Sequence, residues 1–251
     1  MKRRGGEVVG ERKPIHILAK KEDIAPNAIV VGDPRRVVLI SKLLSNVRVV
    51  NENRGLLTVT GRYGETNITV ATHGIGAPSA AIVFEELRMY GVKRIVRLGT
   101  CGSIREDIEP GTVVVALSSI YDEGGCGLKR YYNGFSAPTA PDPYLAVRVM
   151  EEMNRNSLDY YTGVVYCSDS FYSEESVLNK LIGLGITCID METAVLYGLS
   201  WLRGFNALSI LIVSNNIVKR SEHYSSDMLE SKILKTAKAI IEVFDKHYSE
   251  G

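Results

Sequence analysis

Apolar, β-branched runs recur along the chain at residues 28–31, 68–71, 95–98, 112–117, 163–166 and 208–213. Several are unbroken rather than alternating, as expected of strands covered on both faces. Segments with helical spacing lie between them. Residues 34–44 form one, and residues 79–90 predict a second, capped by Ser79 and stopped by Gly91. Residues 191–203 predict a third, followed by Gly204. A last helix begins near Asp227, with an apolar stripe of Ile233, Ala237, Ile240, Ile241 and Phe244. Asp227 and Glu230 have capping-box spacing there. The alternation predicts an α/β fold on a central, mixed, mostly parallel β-sheet flanked by helices. Residues 118–143, rich in Gly, Tyr and Pro, predict a long loop of the kind that often serves function. No repeat or low-complexity linker divides the chain. The expected organisation is a flexible basic tail over residues 1–13 and a single domain over 14–251.

Charge and cysteine usage narrow the class. Lys and Arg total 30 against 29 Asp and Glu, a net charge of +1, which argues against a nucleic-acid binder. No apolar run reaches membrane-spanning length, so no membrane association is expected. The basic start lacks the apolar stretch of a signal peptide. Cys101, Cys126, Cys167 and Cys188 show no metal-ligand spacing. They read as reduced, buried thiols of a cytoplasmic protein that needs no metal.

Candidate chemistry sits at predicted strand ends, where open α/β sheets place their ligands. In Val31-Gly-Asp-Pro-Arg-Arg36, Gly32 permits close backbone approach, and the following helix start favours an anion. The same residues suit a plain structural turn equally well. Arg54, in NENRGLL, reads by itself as a solvated charge, and His73, in THGIGAPS, as a satisfied histidine against the sheet. Arg97 lies inside an apolar strand and therefore requires a partner, either a carboxylate or a bound anion. Thr100 follows at the strand end with a hydroxyl for a phosphate oxygen. Guanidinium groups bind phosphate bidentately, so Arg36, Arg54 and Arg97 with a glycine turn and a hydroxyl suit an oxyanion. Glu192, in Ile189-Asp-Met-Glu-Thr-Ala194, suits either a helix N-terminus or a ribose diol.

GDPRR, NRG, THGIGAPS, RLGTCGS, SDSFY and DMETA occur in the order and spacing of the nucleoside phosphorylases. The chain resembles, from about residue 14 to about residue 217, the family of hexameric purine nucleoside phosphorylases, archaeal methylthioadenosine phosphorylases and uridine phosphorylases. The resemblance implies that Gly32, Arg36, Arg97 and Thr100 hold phosphate, joined by Arg54 of a neighbouring subunit. It implies that Met191 and Glu192 hold the ribose and that Phe171 packs on the base. It further implies that His16, in PIHILA, reaches the ribose 5′ end across the subunit interface. A homo-hexamer, a trimer of dimers with shared sites, follows from it. One departure stands out: Asn215, in Val213-Ser-Asn-Asn216, replaces an Asp that protonates the purine in many relatives. Asn donates a hydrogen bond but is no general acid. The Gln-x-Arg pair of bacterial uridine phosphorylases is also missing, since residues 173–178 read SEESVL.

The implied reaction joins inorganic phosphate, as co-substrate, to C1′ of a nucleoside and releases the free base. The arginines position the anion, which stabilises the oxocarbenium character of the sugar. Glu192 fixes the sugar, Asn215 bonds the departing base, and no organic cofactor is required. The expected substrates are 6-oxopurine nucleosides. Alternatives are methylthioadenosine or uridine within the same family, a nucleosidase that uses water, and a nucleoside-binding protein without catalysis.

Overall fold

In the computed structural model, residues 13–222, 224 and 226–249 are described. The expected tail falls outside them, except for Lys13, and so do the side chains at the expected Asp227 cap. Strand β1 (Asn27–Val31) is buried along its whole length and shows why its apolar run is unbroken. Ala28 and Val30 face one core, with Phe84 and Leu87 of helix α2 (Ala77–Tyr90) and Leu196 and Leu199 of helix α6 (Thr193–Arg203). Ile29 and Val31 face a second core. That core holds Ile40 of α1 (Pro34–Ser41), Val149 of α4 (Pro143–Arg155) and Phe244 of α7 (Ser226–Tyr248). The strand is covered twice, so both side-chain sets are apolar.

The remaining strands are β2 (Ser45–Asn51), β3 (Thr58–Tyr63), β4 (Thr66–Thr72), β5 (Arg94–Ser103), β6 (Val113–Tyr121), β7 (Tyr160–Cys167), β8 (Cys188–Asp190) and β9 (Asn206–Asn216), with the short helix α5 (Leu178–Gly183) between β7 and β8. Their order is β2-β3-β4-β1-β5-β8-β7-β6-β9, with β5 also paired to β9. The run from β5 through β8, β7, β6 and β9 therefore closes on itself. Pairings β1–β4, β1–β5, β5–β9, β6–β7 and β7–β8 are parallel. Pairings β2–β3, β3–β4, β5–β8 and β6–β9 are antiparallel, so the sheet is mixed, with parallel pairs the more numerous. Because β1, β4, β5 and β9 are parallel, their carboxyl ends lie along one edge.

Three local expectations are corrected. Helix α2 starts at Ala77 after Gly76, whose φ of 84° suits glycine; Ser79 lies inside the helix and donates to the His73 carbonyl at 2.6 Å. Helix α6 starts at Thr193, two residues later than expected. The stretch 118–143 is not all loop. It contains the end of β6 and a short helix α3 (Leu128–Tyr131), with Leu128 buried against Gly198 of α6. Gly91 does end α2, with φ 101°. No helix among the described residues is long and apolar enough to cross a membrane.

Candidate active site

A cleft of about 920 Å³ opens at the carboxyl ends of β1, β4, β5 and β9. Gly32 closes β1, and Asp33 caps α1 by accepting from the Arg35 amide at 2.9 Å, with Pro34 beginning the helix. This turn aims Arg36 into the cleft. A Cβ at position 32 would stand 3.2 Å from the Gly74 carbonyl, so a side chain there would require the His73–Gly74 segment to give by a few tenths of an ångström.

Arg97 points from β5 into the floor of the cleft and is 3% exposed. Its guanidinium pairs with Asp190 at 3.0 Å and with Glu192. It folds back beside Gly99, two residues along the same strand face, where any Cβ would collide with it. The demand for a partner inside an apolar strand is thus met by carboxylates. Burial lowers the basicity of Arg97, but Glu192 and Asp190 outweigh it and raise its pKa. Burial alone would raise the Glu192 carboxyl; Arg97, His73 and the Gly76 amide, which donates to it at 2.6 Å, hold it below the usual range. Burial and Glu192 push Asp190 up to about 6, against the pull of Arg97. Glu192 sits at the start of α6 without capping it, because its side chain is turned to Arg97 and Gly76.

Four atoms near this triad are buried and without hydrogen-bond partners among the described residues: both ring nitrogens of His73, Nε of Arg97 and Oδ1 of Asp190. His73 is therefore not the satisfied histidine its sequence context suggested. Burial, with Arg97 next, lowers its pKa to about 4, so the ring is neutral. Arg36 is lowered mainly by burial and makes no ion pair among the described residues. Burial pushes Glu174 up to about 7.

Thr100, Met191 and Asn215 also line the cleft. The Ser214 hydroxyl lies 3.0 Å from Oδ1 of Asn215 and 3.1 Å from the Cys101 carbonyl, with one proton for the two. Donation to Asn215 leaves its Nδ2 free as a donor toward the cleft. Phe171 is at the rim, 54% exposed and edge-on to Tyr172.

Family profiles place this architecture. The phosphorylase superfamily profile matches residues 26–245. The chain belongs to the phosphorylase superfamily. A DeoD-type purine nucleoside phosphorylase of Bacillus velezensis is 36% identical over 212 residues, 83% of this chain and 90% of that protein. A guanosine phosphorylase of Halorubrum lacusprofundi is 32% identical over 207 residues, 82% and 85% respectively. Uridine phosphorylase of Vibrio fischeri, complexed with 6-hydroxy-1-naphthoic acid, superposes with a TM-score of 0.83 at 32% identity over 94% of this chain and 97% of that one. Purine nucleoside phosphorylase of Toxoplasma gondii in complex with immucillin-H gives 0.83 at 27%, over 95% and 99%.

Within this phosphorylase-superfamily chain the expected site residues divide into two sets. Gly32, Arg36, Arg97, Thr100, Phe171, Met191, Glu192 and Asn215 share the cleft. His16 and Arg54 do not line it. His16 is tied to Glu86 through Nδ1 at 2.7 Å, and Arg54 stands in a turn with φ 57°. Sequence reasoning assigned no role to Asp190, Glu174 or Gly99. For Asp190 a signal was present, since a buried arginine needs a carboxylate and the DMET segment carries two. For Glu174 the sequence offers none.

Proposed function

We propose that this chain is a pentosyltransferase that cleaves purine nucleosides with inorganic phosphate, 6-oxopurine nucleosides foremost. The observation that carries the reading is the convergence of an unpaired Arg36, the Arg97–Glu192 pair and unpartnered buried polar atoms on one cleft. Arg36 and the Gly32 turn hold the anion, with Thr100 donating and Arg97 behind them. Arg97 also keeps Glu192 ionised, so the carboxylate accepts from sugar hydroxyls. A phosphate oxygen bonds to C1′ as the glycosidic bond breaks. The bonding pair leaves with the base, and the proton of hydrogen phosphate ends on it. Asn215 supports the departing base by donating to N7 or O6. Phe171 packs on the base from the rim.

The relatives named for purine nucleosides and guanosine support this substrate class. The likeness to a uridine phosphorylase favours a pyrimidine nucleoside as the second reading. His16 and Arg54, outside the cleft of their own chain, fit the proposal that a cytoplasmic hexamer built from dimers shares its sites between subunits. The test is a panel of inosine, guanosine, adenosine, methylthioadenosine and uridine with phosphate, read by release of free base. Inosine and guanosine are expected to lead. Preferred turnover of uridine or adenosine overturns the 6-oxopurine assignment.

A further inference from the structure

His73 stands at the end of β4 with its ring wholly buried, yet it lines the cleft. Neither ring nitrogen has a hydrogen-bond partner among the described residues. The Gly74 backbone acts weakly on the ring, against the effect of burial, without completing a hydrogen bond to either nitrogen. A buried imidazole left in that state costs free energy that a ligand would recover. Phe84 packs against the ring in a T-shaped contact, 5.8 Å between centroids, and a Cβ at Gly32 would lie 3.7 Å from its Cε1. The ring is thus held from behind, beside the turn that bears Arg36. The charges that act on it are Arg97 and Arg36 on one side and Glu192 on the other. Two guanidinium groups and burial exclude a third positive charge, so the ring offers one donor and one acceptor.

We propose that His73 is a further substrate-contacting residue: its N–H donates to the bound phosphate, and its other nitrogen accepts from a sugar hydroxyl. The donor belongs on the anion because phosphate oxygens only need donors there. The acceptor belongs on the sugar because a hydroxyl brings its own proton. His73 thereby couples the two substrates, whereas Arg36 serves the anion alone. This rests on the phosphorolysis reading and adds a residue to it.

His73→Phe keeps the ring packed on Phe84 and removes both hydrogen-bonding atoms, while His73→Asn keeps one donor and one acceptor. Binding of inorganic phosphate, measured by equilibrium dialysis, is expected to weaken roughly ten- to a hundredfold in His73→Phe. His73→Asn should recover part of that loss, and the KM for inosine should rise in His73→Phe as well. A ring that merely fills space predicts the reverse order, with His73→Phe binding phosphate normally, and that result overturns the proposal. A second readout needs no variant. The ring 15N signals of His73 should not titrate until about pH 4. Those signals should shift on adding inorganic phosphate; unmoved signals overturn the proposal. Base release by the unaltered protein is followed in parallel. Release without phosphate overturns the phosphorolysis reading, whereas normal phosphate affinity in His73→Phe overturns the role of His73 alone.

Discussion

Around Asn216 every side-chain hydrogen-bonding atom is used, while around His73, near the same end of the sheet, several are not. Asn216 is fully buried; its Nδ2 donates to the carbonyls of Arg105 at 2.8 Å and Ile108 at 3.0 Å, and its Oδ1 accepts from the Lys219 amide at 3.0 Å. Glu86 is a second example, accepting from the amides of Ile15, His16 and Ile17 and from the His16 ring. In the cleft, His73, Arg97 and Asp190 are as deeply buried but keep orphaned atoms. Burial of polar groups therefore does not mark function by itself. A completed network fixes a loop or a chain end, and an incomplete one facing a cleft is arranged for a polar ligand.

The largest test of that contrast is Arg97→Met. Arg97 belongs to both kinds, since it is paired and still has a free Nε. Its loss leaves Asp190 and Glu192 buried without a cation, and about 3–5 kcal/mol of stability should vanish with it. Denaturant unfolding would show this. A loss under about 1 kcal/mol would mean that the carboxylates simply take up protons and that the pair is not a working charge cluster.

Acid sensitivity comes next. His73 titrates near 6.5 when unfolded and near 4 when folded. Its contribution is complete above pH 6.5 and is lost as pH falls toward 4, roughly 3 kcal/mol in all. Asp190 works in the opposite sense: its pKa is raised from 3.8 to about 6, so its contribution is complete below pH 3.8 and is lost as pH rises to about 6. His73→Asn removes the first slope and leaves the second. Unfolding measured between pH 4 and 7 should then show a smaller acid loss in the variant than in the parent. Equal losses would show that His73 is protonated in the folded protein.

Arg36→Ala and Asn216→Ala sharpen the contrast as a pair. Arg36 is half-buried without an ion pair, so its removal should leave stability nearly intact. The phosphate KM should rise by a factor equivalent to about 1.5–3 kcal/mol. Asn216→Ala should cost about 1–3 kcal/mol of stability, through unsatisfied carbonyls, and leave the phosphate KM in place. Exchanged outcomes would break the distinction between completed and incomplete networks.

The legibility of these features followed their range along the chain. Doubly covered strands such as β1 and β6 betray themselves by unbroken apolar runs, and Gly91 marks the end of α2 by its own conformation. β2 is exposed along most of its length and so carries no such run. β8 spans three residues, too few for any period. Helix α4 was legible in principle: Asp142 caps it by accepting from the Leu145 amide at 2.7 Å, and Leu145, Val149 and Met153 form its stripe. The Pro- and Tyr-rich stretch before it hid the boundary. In the site, the need of Arg97 for a partner was legible because a charge inside an apolar strand is costly. The unpartnered state of His73 was not, because satisfaction of a ring nitrogen depends on residues from β1, β5 and α6 that meet it only in the fold.

The smallest expected effect lies at Asn215. Asn215→Asp substitutes a group that can be protonated, and should raise adenosine turnover relative to inosine by about tenfold, most clearly at mildly acidic pH. An unchanged ratio would mean that Asn215 does not face the base.

The most direct test of the whole account is to follow inosine and inorganic phosphate by 31P NMR in the presence of the unaltered protein. The account predicts a pentose 1-phosphate signal that grows in step with free hypoxanthine and none without phosphate. Hypoxanthine released with free pentose, at a rate indifferent to phosphate, would contradict it.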